Sequence, residues 1–345
     1  MKWHGCLSSE RMLPAGGPQG SNFGILGYLS QSNDNSNCVP VDDRYKYMDD
    51  LTMLEAICLM NIGLATFNLK KQVPNHIPVH NQMINSDSLK TQKYLDEIEA
   101  WTDAKKMVLN ERKTKFMIFN RSKKFQFTTD LKLKGENLNI VEETKLLGTI
   151  ITSDLKWIKN TQAIVKNANS KMRMLQIAAK FIRRKEDLLH IYKTFIRSRL
   201  EYSCVVWHSS LSKENELDLE RVQKAAVKLI LKGAYTDYKN GLKTLNIDSL
   251  YNRREKLCLR FAKKCLKIEN FKQLFPLKKS NHDMRKRNSE KFYMKTNNTE
   301  RYQRSAIPAM IRLMNKEELK LKKALNSLIY VPREHCSSNL ISVKI

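Results

Sequence analysis

Short alternating stretches in the first half of the chain predict β-strands. In KTKFMIFN every second position, occupied by Phe116 and Ile118, is apolar on one side of an extended segment. In DLKLKGENLNIV two apolar pairs flank a polar turn at residues 135–137, which predicts a hairpin. The apolar run KLLGTIITS at residues 145–153 predicts one further strand.

Apolar residues at intervals of three and four predict helices, once before these strands and repeatedly after residue 157. The early helix is capped by Ser86 or Asp87 and has the stripe Leu89, Tyr94, Leu95, Ile98 and Trp101. The first three later stripes are Ile164, Ala168, Met172, Leu175 and Ala179, then Leu188, Tyr192, Phe195 and Arg199, then Leu219, Val222, Ala226 and Ile230. Gly233 is expected to end the last of these with a left-handed cap.

The remaining C-terminal residues predict two more helices separated by a linker. One helix opens at Asp248 and carries Leu250, Leu257, Phe261 and Cys265. Residues 271–304 are rich in Lys, Arg and Asn without an apolar period, which is typical of a solvated linker, and IPAMIRLMNKEELKLKKALNSLI predicts a final helix. Trp207 and His208 lie in an apolar run and are expected in the core.

Together these patterns predict an α+β fold with four regions. Residues 1–43 are rich in Gly, Pro, Ser and Asn and are expected to form loops. Residues 44–155 are expected to form a small antiparallel sheet with one or two helices, and residues 156–270 an all-helical bundle. Residues 271–345 complete the chain as a basic linker and a helix.

The charge of the chain points to a polyanionic partner. The formal net charge is +27, and because the first 50 residues carry −2, the remainder carries +29. Such a field favours nucleic acid or an anionic membrane surface. No apolar run approaches the roughly 20 residues that span a bilayer, so no membrane partner is expected. The N-terminus has no signal core and the seven cysteines are scattered, which predicts an intracellular protein, cytoplasmic or nuclear, with reduced thiols.

Two adjacent carboxylates, Asp49 and Asp50, follow Tyr47 and Met48 in the stretch RYKYMDDLT. An acidic pair in a turn is most often simply solvated. Where a strand-turn-strand brings two carboxylates next to a third, however, oxygen ligands of this kind bind Mg²⁺. Two such ions can activate an attacking hydroxyl and stabilise a leaving pyrophosphate.

YMDD resembles the metal-binding turn of reverse transcriptases, and four further stretches resemble the same family in the same order. LPAGGPQGS, from residue 13, is similar to its PQG loop, and LNERKT, from residue 109, to its Leu-Asn-x-x-Lys-Thr block. KLLGTIITSDLKW resembles the Leu-Gly motif of the primer grip. IRSRLEYSCVVWHSSLSKENELDLERVQKAAVKLI is similar to the thumb and post-thumb of non-LTR retrotransposon polymerases. The resemblance covers roughly residues 13–270.

This resemblance implies a role for each matching residue. Asp49 and Asp50 would bind Mg²⁺ or Mn²⁺ as the catalytic pair, and Tyr47 and Met48 would lie against the primer terminus. Other matches would contact the template and incoming nucleotide (Gln19 and Gly20), the triphosphate (Lys113) and the primer (Leu147 and Gly148). A solvated lysine explains Lys113 equally well, and a buried strand with a close-packed glycine is the alternative for Leu147 and Gly148. The implied partners are an RNA template and an RNA–DNA duplex.

The sequence also departs from the family pattern. Catalysis in the family needs another aspartate from an earlier strand, yet the residues ahead of the PQG stretch contain none. We therefore expect a fragment of an RNA-directed DNA polymerase that binds metal weakly and is inactive alone. The alternative is a non-catalytic, basic nucleic-acid-binding protein. In either case we expect the basic helices to contact the nucleic-acid backbone and not to be merely solvated. The residues expected to make these contacts are Lys166, Lys171, Arg183, Arg184 and Arg199.

Overall fold

The computed structural model describes residues 2–3, 6–7, 44–47, 50–53, 80–83, 89–119, 125–128, 130–277, 291–294 and 299–329. Short strands and longer helices fill these ranges, which confirms the predicted α+β class. The chain divides into two compact units, Met1–Glu142 and Glu143–Ile345. This division precedes the predicted boundary at residue 155, because the hairpin at residues 143–152 belongs to the helical unit.

The strands of the first unit pair two by two. Antiparallel pairs are formed by β1 (Lys2–Trp3) with β2 (Cys6–Leu7), β3 (Arg44–Tyr47) with β4 (Asp50–Met53), and β7 (Lys132–Leu133) with β8 (Glu136–Asn137). The parallel pair is β5 (His80–Met83) with β6 (Phe125–Thr128). No described strand joins a third, so these pairs replace the small antiparallel sheet predicted for residues 44–155. The antiparallel segments are only two to four residues long, and each folds back on the next through a short connection.

One helix of the first unit, α1 (Lys90–Ala104), packs on the β7–β8 hairpin. Its Gln92 side chain acts like a neighbouring strand, because Nε2 donates to the Lys132 carbonyl at 3.0 Å and Oε1 accepts from the Lys132 N–H at 2.9 Å. The predicted hairpin is confirmed, but its turn lies at Lys134 and Gly135, where φ is 52° and 80°, and not at residues 135–137, because Glu136 and Asn137 form β8. The strand predicted in KTKFMIFN is wrong, because within residues 111–119 pairing is limited to one bridge between Phe116 and Ile140.

The second unit begins with a hairpin of β9 (Glu143–Leu146) and β10 (Thr149–Thr152) and continues as helices. The predicted single strand KLLGTIITS is therefore wrong, because Leu147 and Gly148 turn the chain. The helices that follow are α2 (Ile158–Phe181), α3 (Lys185–Ile191), a π-helical segment (Tyr192–Arg197), α4 (Ser198–Glu201), α5 (Cys204–Trp207), α6 (Lys213–Leu231), α7 (Tyr238–Thr244), α8 (Leu250–Cys265), α9 (Glu269–Lys272), α10 (Glu300–Gln303) and α11 (Ala306–Ile329).

The main core of this unit lies between α2 and α6 and includes buried side chains from α3 to α5 and from the start of α8. The predicted stripes of α2 and α6 are confirmed, and Trp207 and His208 are buried as expected. From α3 to α4, however, the buried stripe differs from the predicted one after Tyr192. Ile196 and Leu200 are buried there, whereas the predicted Phe195 is 48% exposed. Gly233 is not the left-handed cap of α6, because the positive φ of 50° falls on Lys232.

A second core joins α8 to α11. It contains Cys258, Ala262 and Cys265 of α8, and Met310, Ile311 and Met314 of α11. Phe275 and Phe292 are buried in this core, so the linker prediction is wrong at both of these positions. Asn315 fixes the second of them, donating from Nδ2 to the Phe292 carbonyl at 3.1 Å and accepting from the Phe292 N–H at 3.0 Å. Among the described helices, none has the length and apolarity needed to cross a bilayer.

Candidate nucleic-acid interface

The hairpin of β3 and β4 carries part of the predicted metal turn. Tyr47 pairs with Asp50 at its closed end, and two residues, Met48 and Asp49, separate the strands in sequence. Asp50 is thus the first residue of β4, which agrees with the expected strand-to-strand placement. Met48 and Asp49 lie outside the described residues, as do Gln19 and Gly20 of the PQG stretch. Within the described ranges, no three His, Cys, Asp or Glu side chains are grouped to hold a metal ion.

Lys113, predicted near the nucleotide, lies in an exposed turn after α1. Its backbone N–H donates to the carbonyl and to Oδ1 of Asn110, both at 3.1 Å. Asn110 thereby closes the turn, as asparagine commonly does. This geometry leaves the Lys113 side chain on the surface, consistent with the solvated alternative and with an anion contact.

The predicted primer-grip residues form the tight turn of the β9–β10 hairpin. Leu146 and Thr149 pair across it, and the two residues between them have φ values of 45° at Leu147 and 83° at Gly148. Two positive φ values in a two-residue loop are typical of a type I′ turn, in which the second residue is commonly glycine. The alternative of a buried strand is wrong, since the Leu147 side chain is 44% exposed.

Tyr202 holds this turn against the helices. Its hydroxyl donates to the Leu147 carbonyl at 2.6 Å. The same ring lies over Gly148 so closely that a Cβ there would stand 3.2 Å from Tyr202 Cε1. The hairpin is also fixed to α2, because Asn160 Oδ1 accepts from the Ile150 N–H at 3.1 Å. The close-packed glycine of the prediction is therefore confirmed, but in a turn.

Helix α2 presents an exposed basic surface that includes Lys166 and Lys171. From residue 158 to residue 185 the chain has eight lysine and arginine residues and no acidic residue, and all eight are exposed. Two of the eight have an acidic partner: Lys159 pairs with Glu143 at 2.7 Å and Arg184 with Asp187 at 3.7 Å. Within the described residues the other six form no ion pair, so their charge is available to an external anion.

The three arginines predicted beyond α2 are all exposed. Arg183 and Arg184 lie in the exposed connection between α2 and α3, and Arg199 is exposed on α4. In contrast, Arg197 and Arg253 both contact the Glu201 carboxylate, at 3.3 and 3.1 Å, and are partly buried. These two arginines have a structural role, whereas Arg199 remains on the surface.

The same surface contains residues that were not predicted. Arg173 and Lys180 are exposed on α2, and Phe181 at the end of this helix is 80% exposed. The sequence contained a signal for them, because the buried stripe of α2 was correctly predicted and these residues fall outside it. The uninterrupted absence of acidic residues from 158 to 185 was a second signal.

Two buried side chains of the helical unit, Arg254 and His208, have shifted pKa values. Arg254 is fully buried and donates from Nε to Nδ1 of His208 at 3.2 Å. Burial, with a smaller contribution from the Arg254 guanidinium, lowers the pKa of His208 to about 3. Burial lowers the pKa of Arg254, and the Glu220 carboxylate opposes part of this shift. The side chains of Arg254 and His208 belong to the interior of the helical unit and are not part of the basic surface.

Comparisons with protein-family models, with curated proteins and with solved structures gave no significant match. Functional assignment therefore rests on the sequence motifs and on the exposed basic surface of the helical unit.

Proposed function

We propose that the chain is part of an RNA-directed DNA polymerase of the non-LTR retrotransposon type, and that its helical unit binds nucleic acid. The single observation that supports binding best is the exposed, acid-free segment 158–185. The five sequence motifs that resemble this family support the assignment to a polymerase. The nucleic acid would be an RNA template or its RNA–DNA duplex.

Binding through this surface would be electrostatic and largely independent of base sequence. Lysine and arginine side chains that neutralise phosphates release condensed counterions, so affinity falls as salt rises. Lys166, Lys171 and Arg183 form no ion pair within the described residues, so they need not break one in order to bind. Arg199, which is exposed on α4, would add a further contact.

In this proposal the metal chemistry belongs to Asp49 and Asp50. Their carboxylates would hold Mg²⁺ or Mn²⁺ beside the primer end, with Tyr47 and Met48 next to it. Two-ion phosphoryl transfer uses a further carboxylate to offset the charge of the ions and keep them in line. Residues 1–12, which precede the PQG stretch, contain no aspartate. We therefore propose that these 345 residues do not extend a primer unaided.

A non-catalytic nucleic-acid-binding protein is the second candidate function. It is favoured by the location of the basic surface, since residues 158–185 all belong to the helical unit. Nucleic-acid binding is common to both candidates, and polymerase activity separates them.

Binding is tested by titrating the chain into labelled RNA and RNA–DNA duplex at several salt concentrations. The logarithm of affinity should fall linearly with the logarithm of salt, and the slope should decrease by roughly 0.9 for each duplex phosphate that a variant no longer neutralises. The variant Lys166→Gln/Lys171→Gln should reduce both affinity and slope. Its matched control is Lys256→Gln/Lys263→Gln, which removes the same charge from α8, where both lysines pair with acids.

Equal losses in the two double variants would contradict an interface on α2, and an affinity independent of salt would contradict electrostatic binding altogether. Catalysis is tested separately by primer extension on an RNA template with Mg²⁺ or Mn²⁺. We expect no product from the chain or from its Asp49→Ala variant. Extension that Asp49→Ala abolishes would show that another carboxylate in these residues completes the site.

A further inference from the structure

The exposed side of α2 has an apolar stripe among its positive charges. Met174, Ile177 and Phe181 are 38%, 54% and 80% exposed. Their spacing of three and four residues places them on one face of the helix. This face is distinct from the buried stripe, so the three side chains do not contribute to the core of the helical unit. Phe181, at the end of the stripe, leaves most of an aromatic ring in water.

Exposed basic residues lie close to this stripe in sequence. Lys171 lies one turn before Met174, and Lys180, Arg183 and Arg184 flank Phe181, all of them exposed. With no acidic residue from 158 to 185, a partner of this surface must carry negative charge next to flat apolar groups. A nucleic-acid strand has this combination, because phosphates alternate with aromatic bases.

We propose that this surface binds single-stranded nucleic acid and stacks an unpaired base on Phe181, an inference that rests on the proposed nucleic-acid binding and specifies its substrate. A base inside a duplex is stacked on both faces, so it cannot also stack on a side chain without being displaced. An unpaired base has a free face for the Phe181 ring, while Lys180, Arg183 and Arg184 contact the neighbouring phosphates.

An anionic membrane surface is the other partner that a basic and apolar helix could fit. The rest of α2 argues for nucleic acid, because Asn167, Asn169 and Gln176 are also exposed on this helix. Amide side chains hydrogen-bond to bases and phosphates, whereas insertion among acyl chains would remove them from water. Binding to vesicles is therefore included as an outcome of the test.

The test compares three probes of equal length: a single-stranded RNA, its annealed duplex, and an abasic strand that keeps the phosphates and lacks the bases. Phe181→Ala should weaken binding of the single-stranded RNA roughly ten- to hundredfold. It should leave binding of the duplex and the abasic strand unchanged, and Phe181→Tyr should restore binding of the RNA. Phe261→Ala is the matched control, since Phe261 is a 43% exposed phenylalanine on α8.

Because the Phe181 side chain is 80% exposed, neither Phe181→Ala nor Phe181→Tyr should change the thermal unfolding of the chain. If salt-dependent binding persists but Phe181→Ala affects all three probes equally, or none, base stacking is wrong while nucleic-acid binding stands. If none of the probes binds, both proposals fail. Binding to vesicles of phosphatidylserine and phosphatidylcholine that depends on Phe181, without discrimination among the nucleic acids, would overturn the inference in favour of a membrane.

Discussion

Arg254 Nε and His208 Nδ1 are joined by a 3.2 Å hydrogen bond between two buried side chains. The guanidinium is the donor, so Nδ1 must be the acceptor and the imidazole must be neutral. Protonation of Nδ1 would place a second N–H against the Arg254 donor at a buried position. The helical unit therefore contains a histidine that stays neutral in the folded chain until the pH falls to about 3.

Stability should consequently depend on pH through His208. The pKa is about 3 in the folded chain and about 6.5 when unfolded, so between these values only the unfolded chain binds the proton. Stability is fully present above pH 6.5 and is lost as the pH falls toward 3. Between pH 7 and pH 5 this residue alone should lower the free energy of unfolding by about 2 kcal/mol, measured by urea denaturation.

The variant His208→Gln isolates this effect, because a glutamine oxygen can accept from Arg254 and does not titrate. The free energy of unfolding of the parent chain should fall relative to that of His208→Gln by about 2 kcal/mol from pH 7 to pH 5. His190→Gln, at an exposed histidine of α3, is the control substitution. Parallel curves for the parent chain and His208→Gln would contradict the prediction.

The turn of the β9–β10 hairpin gives a second prediction. Gly148→Ala should lower the free energy of unfolding by about 1 to 3 kcal/mol, because the positive φ disfavours a side chain and the new Cβ meets the Tyr202 ring at 3.2 Å. Gly135→Ala has nearly the same φ, 80°, and nothing within 4 Å. Gly135→Ala should therefore lower the free energy of unfolding by less than Gly148→Ala does, as measured by thermal denaturation. Equal effects would show that the contact with Tyr202 is unimportant.

The side-chain network at Gln223 gives a third prediction. Its Oε1 accepts from the Tyr192 hydroxyl at 2.6 Å, and its Nε2 donates to the Tyr238 hydroxyl at 2.8 Å and to the Asp248 carbonyl at 3.0 Å. Gln223→Leu removes these three hydrogen bonds and leaves the buried Tyr192 hydroxyl without its acceptor, although the Tyr238 hydroxyl still donates to Glu220. It should cost about 2 to 4 kcal/mol in chemical denaturation. Gln162→Leu, at an exposed position of α2, should change stability by less than about 0.5 kcal/mol.

Local patterns predicted the helices better than the turns. The stripe of α2 repeats so regularly that packing against α6 could be satisfied in only one way. The hairpin at Gly135 was predicted because polar residues and a glycine marked it. The hairpin at Leu147 was missed because an apolar residue occupies its turn, held there by Tyr202 from 55 residues away. A pattern of neighbouring residues cannot reveal a hydrogen-bond partner so distant in sequence.

The shifted stripe after α3 has a different physical reason. Buried residues recur there every four positions, at Leu188, Tyr192, Ile196 and Leu200. In an α-helix such a row would drift by about 40° per step, since 3.6 residues make a turn. The π-helical segment Tyr192–Arg197 has more residues per turn and compensates for that drift. A prediction based on the α-helical period therefore chose Phe195 and Arg199.

The sequence motifs and the structure support different residues of the candidate site. The basic residues were predicted from charge and are exposed, as nucleic-acid contacts require. Roles of Asp49 and Gln19 remain predictions from resemblance, since neither lies in the described residues. Phe181 was missed although it falls outside the predicted buried stripe of α2, because periodicity assigns no role to an exposed aromatic residue.

The tethered hairpin also determines where the helical unit could be separated from the rest of the chain. Tyr202 and Asn160 bond to the hairpin backbone, and Ile151 packs on the main core. A polypeptide beginning at residue 143 keeps these interactions, whereas one beginning at residue 156 leaves both polar side chains without their partners and uncovers apolar surface. Expression trials of the isolated helical unit should therefore start at residue 143, which would give the more soluble product.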